Sequence, residues 1–412
     1  MRVAIVGAGI SGLVTARLLS RCHDVTVFEA GPWAGGHTNT VTVGAGPAPL
    51  SVDTGFIVFN RRTYPNFCTL LDQLGVASVE TTMSFSVSCE RTGIEYNGTS
   101  LDTLFAQRRN LLRPGFLRMV RDILAFNRHG ERQVAAAGED TVEAFLDAHR
   151  YGQGFRERYL VPMGAAIWSC PPRTFLRFPV RFVMDFFRNH GMLQVHGRPV
   201  WRVVRGGSAR YVEALVAPFA DRVRLSTPVR RVRRTAAGVV VGTDAGAETF
   251  DEVVVACHSD QALALLEDPS PAERAVLGAF PYQANEAVLH TDATALPANR
   301  RAWAAWNYRI PAAGSDGATV TYHMNALQHL PGPEVYCVTL NDGARLDPSR
   351  VLRTFTYYHP IFTAGRDAAR HRHPELIRRE GLSYCGAYWG YGFHEDGVNS
   401  ALAVCRAFGQ DL

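Results

Sequence analysis

The sequence predicts an α/β protein with a second, mixed α+β lobe. Near the N-terminus, the apolar strand Arg2–Val6 leads into a glycine-rich turn, a helix-like run and a second apolar strand. Residues 200–260 return to this character and end in Val253–Ala256, an unbroken apolar run typical of a strand covered on both faces. A further strand, turn and helix follow in residues 382–408. These separated stretches predict one Rossmann-like domain built from discontinuous segments.

The first turn carries glycines at the spacing G-x-G-x-x-G. Gly7 permits the tight turn, Gly9 lets a pyrophosphate approach the backbone, and Gly12 lets the helix pack closely on the strand. Glu29 follows the second strand, where a carboxylate can hold ribose hydroxyls. A lone glycine motif is a weak signal, but this one has both strands and the acid in place. It therefore predicts a dinucleotide site at the N-terminus of the first helix.

Composition narrows the functional class. A chain of 412 residues is too long to fold around one compact core, so its length predicts two or three lobes. All 43 basic residues are arginine, so no lysine is available as a Schiff base or general base, and the net charge of +5 does not indicate nucleic-acid binding. Eight scattered cysteines without a C-x-x-C pair favour a reducing compartment. With no signal peptide and no membrane-spanning run, we expect a cytoplasmic protein.

A second glycine segment makes the pattern more specific. Gly35 and Gly36, followed by His37, come soon after Glu29 and let more backbone approach the same ligand. Together with the first motif they resemble the flavin-containing amine oxidase superfamily, which includes phytoene desaturases and protoporphyrinogen oxidases. Stretches along the whole chain are similar to a bacterial subgroup of FAD-binding proteins, namely Val52–Asn60, Met83–Ser86, Phe105–Asn110, Asn189–Gly191, Arg198–Trp201, Gly206–Ser208 and Gly392–Gly397.

The resemblance implies non-covalently bound FAD. The residues expected to contact FAD are Gly7, Gly9, Ile10, Ser11, Gly12, Glu29, Ala30, Gly35, Gly36, His37, Gly55, Phe56, Val229, Gly386, Glu395, Asp396 and Val398. In the superfamily a residue after a T-P-V-like turn clamps the adenine through its backbone, and Val229 matches that position. The segment around Phe56 either borders the flavin ring or forms a buried strand. Superfamily members usually carry an acid at Ala387, so Glu395 or Asp396 is expected to replace that contact.

The same resemblance predicts the order of domains along the chain. FAD-binding segments are expected at 1–75, 201–275 and 376–412. They alternate with a helical substrate segment at 76–200 and a mixed substrate sheet at 276–375. A C-terminal helix over Val398–Phe408, opened by the stretch Gly392–Gly397, is expected to aim its N-terminus at the flavin, where its dipole would stabilise negative charge.

The first substrate segment contains a basic amphipathic helix over Leu104–Phe126. Its apolar positions are Leu112, Phe116, Met119, Val120, Ile123 and Leu124, and the interleaved arginines are Arg113, Arg118, Arg121 and Arg128. Such a helix either packs its apolar face on the substrate lobe or lies on an anionic membrane surface. Similarly, the small and apolar stretch Pro162–Ser169 forms either the wall of a lipophilic tunnel or a core helix.

Five residues are candidates for proton transfer, namely His190, Tyr322, His323, Tyr358 and His394. His190 is alternatively a helix-terminal histidine that contacts backbone carbonyls. Tyr322 and His323 lie in the alternating, strand-like stretch Ala318–Met324, so they point to opposite faces. On a strand, His371 and His373 would place both imidazoles on one face, but they lack a carboxylate or cysteine partner, and no metal site is predicted.

The leading hypothesis is an FAD-dependent oxidoreductase that desaturates, saturates or isomerises a lipophilic acyl chain. Members of the similar subgroup are often encoded beside cyclopropane-fatty-acyl-synthase-like methyltransferases, which implies acyl substrates and a methyltransferase partner. Superfamily amine oxidases usually hold a water with a lysine, which this chain lacks. A flavin amine oxidase and a non-catalytic flavoprotein partner of a methyltransferase remain the alternatives.

Overall fold

The protein folds into two compact units, described by a computed structural model. The structure describes residues 1–44, 49–194, 197–313 and 317–412. The first unit comprises 1–79, 204–282 and 365–412, and the second comprises 80–203 and 283–364. The predicted α/β class is confirmed, with a parallel sheet in one unit and a mixed sheet in the other.

The first unit is built on a five-stranded parallel sheet. In spatial order its strands are Val223–Arg224, Asp24–Phe28, Arg2–Val6, Glu252–Val255 and Leu382–Tyr384. Val253, Val254 and Val255 have no exposed surface, as expected for a strand covered on both faces. Because all five strands are parallel, their carboxyl ends meet at one edge, where ligands of open α/β sheets bind.

Smaller sheets and the helices complete the first unit. Its antiparallel strands are Val229–Thr235, Gly238–Thr243 and Gly246–Phe250 in one sheet, and Thr40–Val43 with Leu50–Asp53 in a hairpin. Its helices are Ile10–Leu19, Pro65–Leu74, Ala209–Val216, Ser259–Leu265, Pro271–Leu277 and His394–Arg406, with short 3-10 turns at Ala217–Arg222, His373–Leu376 and Ala387–Trp389. Helix Ala364–Arg370 begins where the chain enters the last segment of this unit.

The second unit contains a seven-stranded sheet. In spatial order its strands are Val351–Pro360, Tyr282–His290, Cys337–Leu340, Val320–His323, Trp306–Ile310, Phe85–Cys89 and Ile94–Asn97. One row across this sheet is polar and buried, because Ser86, Asn307, Thr321 and Thr339 are register partners on adjacent strands. Hydrogen bonds between neighbouring side chains satisfy this row, as between Ser86 Oγ and Asn307 Oδ1 at 2.8 Å.

Helices form the rest of the second unit. The helices are Leu101–Leu104, Pro114–Ala137, Val142–Ala148, Gln153–Phe155, Val161–Ile167, Pro172–Phe175, Val180–Asn189 and Met324–Gln328, with a π turn at Arg156–Leu160 and 3-10 turns that include Arg108–Leu112. The predicted strand over 318–324 is shorter, because Met324 begins a helix. Across the described parts of the chain, no helix has the length and apolar character needed to span a bilayer.

Candidate dinucleotide site

The first turn of the first unit requires glycine at its start. Gly7 has a φ of +107° and donates its N–H to the carbonyl of Phe28 at 2.8 Å. A Cβ at this position would lie 2.9 Å from the carbonyl oxygen of Ala256, which belongs to the segment after the adjacent strand. The chain therefore turns directly over the carboxyl edge of the sheet because no side chain separates the two backbones.

The two following glycines differ in what surrounds them. A Cβ on Gly12 would lie 2.0 Å from the Gly7 carbonyl oxygen, so Gly12 allows the helix to pack on the turn. A Cβ on Gly9 would meet no atom within 4 Å. Gly9 is also the N-cap of helix Ile10–Leu19 and makes no side-chain capping bond. Open space therefore adjoins a helix N-terminus whose amides and dipole favour a phosphate.

The second glycine segment packs against the first. Gly35 N donates to the Ala8 carbonyl at 2.7 Å, and a Cβ on Gly36 would lie 3.1 Å from Gly9 Cα. Gly36 has a φ of +60°, which also favours glycine. His37 follows, and its ring centroid lies 6.2 Å from that of His258. Gly36 thus packs against Gly9 with no side chain between them, and a Cβ on Gly9 would still meet no atom within 4 Å.

Glu29 is held in place at the end of the second strand. Its two carboxylate oxygens accept hydrogen bonds from Ala8 N at 2.7 Å and Gly31 N at 2.8 Å. Each carboxylate oxygen has lone pairs beyond the one used, so the group can still accept from ribose hydroxyls. The turn leading to Val229 is joined to the same segment, because Thr227 N donates to the Glu29 carbonyl at 2.8 Å. Ala30 lies within this segment, between Glu29 and Gly31.

The C-terminal helix packs closely on the first helix. A Cβ on Gly397 would lie 2.7 Å from Cγ2 of Ile10, so this glycine allows the close approach. Val398 is fully buried, and Ser11 is also buried on the first helix. Gly386 donates its N–H to Ser400 Oγ at 2.9 Å, which ties the strand end to this helix. The predicted contact residues at both chain ends therefore lie together in one unit.

The two acids after His394 have local structural partners. Glu395 is buried, and its carboxylate accepts from Asn66 N at 3.0 Å and Phe67 N at 2.9 Å, so it caps helix Pro65–Leu74. Asp396 accepts from Phe393 N at 2.9 Å, and burial raises the pKa of its carboxyl to about 6. That Glu395 or Asp396 replaces the missing acid at Ala387 stays a prediction, since both have these structural partners.

A buried arginine supports the loop before the C-terminal helix. Arg366 is only 2% exposed, and Nη2 donates to the Tyr388 carbonyl at 2.8 Å and to the Gly390 carbonyl. Burial lowers the pKa of its guanidinium to about 9, and the nearby Asp396 carboxylate partly offsets that effect. The sequence does not single out Arg366, because the loop it contacts lies 22 to 24 residues further along the chain.

A buried hydrogen-bonded cluster lies beside the predicted flavin segment. His394 Nε2 is 3.0 Å from both Thr38 Oγ1 and Tyr211 OH, and these two hydroxyls also contact each other. The imidazole stacks on Phe56 with ring centroids 3.5 Å apart. Burial lowers the pKa of His394 well below its ordinary value, so the ring is neutral at pH 7. Thr38 and Tyr211 are site residues that the sequence analysis missed.

Asp53 is another buried residue that the sequence pattern does not single out. Its carboxylate has no exposed surface and accepts from Thr40 Oγ1 at 2.6 Å, Ser208 N at 2.8 Å and Ser208 Oγ at 3.0 Å. Burial raises the pKa of Asp53 to about 6 even though these hydrogen bonds oppose the shift. Asp53 thereby connects the segment before Gly55 to the start of helix Ala209–Val216.

The remaining candidates for proton transfer lie in the second unit. His190 ends helix Val180–Asn189, its Nδ1 lies 3.0 Å from the Phe186 carbonyl, and burial lowers its pKa to about 4. This is the helix-terminal arrangement considered above. Tyr322 is buried and contacts Trp306 edge-on at 4.9 Å, whereas Tyr358 is 46% exposed. Burial also lowers the pKa of His323, whose ring lies 5.5 Å from Trp303.

The histidine pair near the C-terminus does not lie on a strand. His373 opens the 3-10 turn His373–Leu376, and its Nε2 lies 2.7 Å from the Tyr384 carbonyl. The expectation of two imidazoles sharing one strand face was therefore wrong, because His373 instead contacts the end of an adjacent strand.

Comparison with known proteins points to one family. The model of the flavin containing amine oxidoreductase family matches residues 10–299. The AofH protein of Mycobacterium tuberculosis, whose name assigns it as a flavin-containing monoamine oxidase, is 28% identical over 275 residues, which are 65% of this chain and 59% of that protein. The chain thus spans less than two thirds of the length of this curated relative.

Two solved structures share the fold over nearly the whole chain. Cyclohexylamine oxidase from Brevibacterium oxydans superimposes with a TM-score of 0.69 at 16% identity and covers 99% of both chains. A CLA-producing fatty acid isomerase from P. acnes superimposes with a TM-score of 0.67 at 14% identity, covering 97% of this chain and 96% of that one. At these identities the likeness establishes the fold.

Proposed function

Because the chain belongs to the flavin-containing amine oxidoreductase family, we propose that it is an FAD-dependent oxidoreductase. The observation that carries the proposal is the open space at Gly9, which adjoins a helix N-terminus without a side-chain cap. Two features support a fit to FAD: the open space at Gly9 suits a pyrophosphate, and the Glu29 carboxylate, held by Ala8 N and Gly31 N, keeps lone pairs for ribose hydroxyls. Bound FAD would supply hydride transfer to or from a substrate carbon.

Around such a cofactor, the first unit supplies position and a dry environment. The neutral His394 imidazole, with Thr38 and Tyr211, is buried beside Phe56. A neutral imidazole can accept or donate a proton at one nitrogen without the cost of a buried charge. His394 therefore remains a candidate for proton transfer, as do His190, Tyr322, His323 and Tyr358 in the other unit.

For the substrate we propose an unsaturated or modified fatty-acyl chain. The chain has no lysine, so it lacks the group that usually holds a water in amine oxidases of the resembled superfamily. The second unit also carries a cluster of aromatic rings around Trp168, with Phe182 and Phe362 stacked at 4.6 Å, which suits an apolar substrate. The fold shared with a fatty acid isomerase supports this choice. A lipid methyltransferase is the partner that the resembled subgroup suggests.

An amine oxidase is the second candidate function. The fold shared with cyclohexylamine oxidase and the similarity to AofH support it. Either function uses the same cofactor site, so the candidates differ only in the substrate. They can be separated by the compound that exchanges electrons with the flavin.

The experiment follows the flavin absorbance of the FAD-loaded protein under anaerobic conditions. Oxidised protein is mixed with unsaturated fatty-acyl lipids, or with cyclohexylamine and putrescine as the amine arm. Reduced protein is mixed with the same lipids, and lipid products are measured by mass and by conjugated-diene absorbance. We expect lipid-dependent reduction, reoxidation or isomerisation. Reduction by amines alone would favour the second candidate, and bound FAD that responds to none of these compounds would indicate a non-catalytic flavoprotein.

A further inference from the structure

The long helix Pro114–Ala137 of the second unit presents two different apolar faces. One face is buried within its own unit through Phe116, Met119 and Phe126, which are at most 2% exposed. Part of the predicted apolar stripe therefore packs inward, as expected for a helix that packs on its own lobe. Leu117 and Leu124 lie outside this buried face and are 43% and 56% exposed.

The outward face of this helix alternates leucine and arginine. Leu117, Arg121, Leu124 and Arg128 follow one another at steps of four, three and four residues, so they share one face. Leu124 is 56% exposed, and the Arg121 side chain is 75% exposed. The 3-10 turn that leads into the helix adds Leu112, which is 86% exposed. We call Leu112, Leu117, Arg121, Leu124 and Arg128 the leucine–arginine face.

This segment is also positively charged. Residues 101–128 contain six arginines and two aspartates, a net charge of +4. The two aspartates offset only part of this charge. Asp102 pairs with Arg108, and Asp122, which is mostly buried and accepts from Gly152 N at 3.0 Å, lies 3.9 Å from Nη2 of Arg121. The exposed leucines are therefore surrounded by arginines that attract an anionic partner.

We propose that the leucine–arginine face binds the surface of an anionic lipid bilayer. Leucine side chains gain free energy by leaving water for the acyl boundary, and arginines between them can reach lipid phosphates while their stems stay in the interface. A nucleic acid would neutralise the arginines but would give the leucines no apolar partner. This inference does not depend on the proposed reaction, because the face carries none of the candidate site residues.

The test measures co-sedimentation of the full-length FAD-loaded protein with vesicles. Vesicles of phosphatidylcholine alone are compared with vesicles containing phosphatidylglycerol, at low and high salt. The double variant Leu117→Asn/Leu124→Asn removes the apolar part, and Arg121→Glu/Arg128→Glu reverses the charge. Matched controls are Leu225→Asn in the first unit, at a leucine that is 41% exposed, and Arg353→Glu on an exposed strand position of the second unit.

We expect binding to anionic vesicles that weakens with salt and falls by about tenfold in each double variant. The control variants should bind as the parent protein does, and unfolding temperatures verify that all variants are folded. Absence of binding to anionic vesicles would overturn the proposal. Binding that survives the leucine substitutions but not the arginine substitutions would also overturn it, because an anionic macromolecule would then explain the face better than a bilayer.

Discussion

The two units place their candidate residues by opposite means. In the first unit the site depends on glycines, whose lack of a side chain lets the backbone segments around Gly9 and Gly36 meet. In the second unit the candidates are large side chains, such as His190 and Tyr322, that are buried against the aromatic rings of Phe186 and Trp306. Backbone approach is encoded by glycines, whereas the burial of a side chain depends on which rings pack against it.

The difference matters for function because the two kinds of site tolerate substitution differently. A glycine in contact with backbone cannot gain a Cβ without moving the chain, since backbone has few ways to relax. A buried side chain can often be replaced by another of similar size at moderate cost. Substitutions in the two units therefore test whether the cofactor site is the more sharply constrained of the two.

Gly12→Ala is expected to have the largest effect. Its Cβ would lie 2.0 Å from the Gly7 carbonyl oxygen and 3.1 Å from Ala256 Cβ, so the helix must shift away from the turn. We expect a loss of about 3 kcal/mol in the free energy of unfolding. Chemical denaturation measures it, with Gly98→Ala as the control because a Cβ there meets no atom within 4 Å. Equal stability of the two variants would contradict the close packing at Gly12.

Glu29→Leu tests the side chain that the glycine site depends on. The substitution removes both hydrogen bonds to Ala8 N and Gly31 N and any contact with ribose hydroxyls. We expect FAD to bind about 100-fold more weakly, because hydrogen bonds to a charged group are the strong ones. Fluorescence titration with FAD measures the change. An FAD-replete Glu29→Leu protein would argue against the site.

Asp53→Asn tests a buried carboxyl through the pH dependence of stability. The pKa of Asp53 is raised to about 6 from 3.8 by burial, so the folded protein binds this proton more tightly than the unfolded chain does. Its contribution to the free energy of unfolding is therefore largest below pH 4 and is lost as the pH rises through 6. Between pH 4 and pH 7, the free energy of unfolding should therefore fall by on the order of 2 kcal/mol less in the variant than in the parent protein.

Urea denaturation across this pH range measures that difference. Because Asp396 also has a raised pKa and is unchanged in the variant, the comparison of the two profiles isolates Asp53. Parallel profiles would mean that the Asp53 carboxyl has an ordinary pKa in the folded protein.

His190→Asn is expected to have the smallest effect and represents the second unit. It removes the contact between Nδ1 and the Phe186 carbonyl and the stacking on Phe186 at 3.8 Å. We expect a loss of about 1 kcal/mol in the free energy of unfolding, with unchanged FAD content. Thermal denaturation and the flavin-to-protein absorbance ratio check both expectations. Loss of FAD from this variant would contradict this expectation and show that His190 also supports cofactor binding.

The sequence predicts features that depend on local spacing, and it does not predict contacts between residues far apart in the chain. Gly7, Gly9, Gly12 and Glu29 lie within one strand, turn, helix and strand, so local spacing was enough to select them as candidates. The Thr38–Tyr211 contact joins residues 173 positions apart, which no local pattern reveals. The sequence also could not show that Glu395 caps helix Pro65–Leu74, because the capped amides lie 328 and 329 positions away.

The amphipathic helix illustrates an intermediate case. Its periodicity predicted one apolar stripe, and the structure shows that Phe116 and Met119 pack inward while Leu124 faces out. Periodicity identifies which residues share a face, but it does not reveal how wide a face the neighbouring elements can cover. The two interpretations of this helix therefore do not exclude each other, because some of its apolar residues are buried and others are exposed.

The most direct test of the central claim is a titration of the wild-type protein and Gly9→Ala with FAD. Gly9 has a φ of −74° and space for a Cβ, so alanine fits the backbone and fills only the open space at the helix N-terminus. We predict one FAD per wild-type chain and about tenfold weaker binding by Gly9→Ala at an unchanged unfolding temperature. A wild-type protein that binds no FAD, or a variant that binds it equally well, would contradict a dinucleotide site at Gly9.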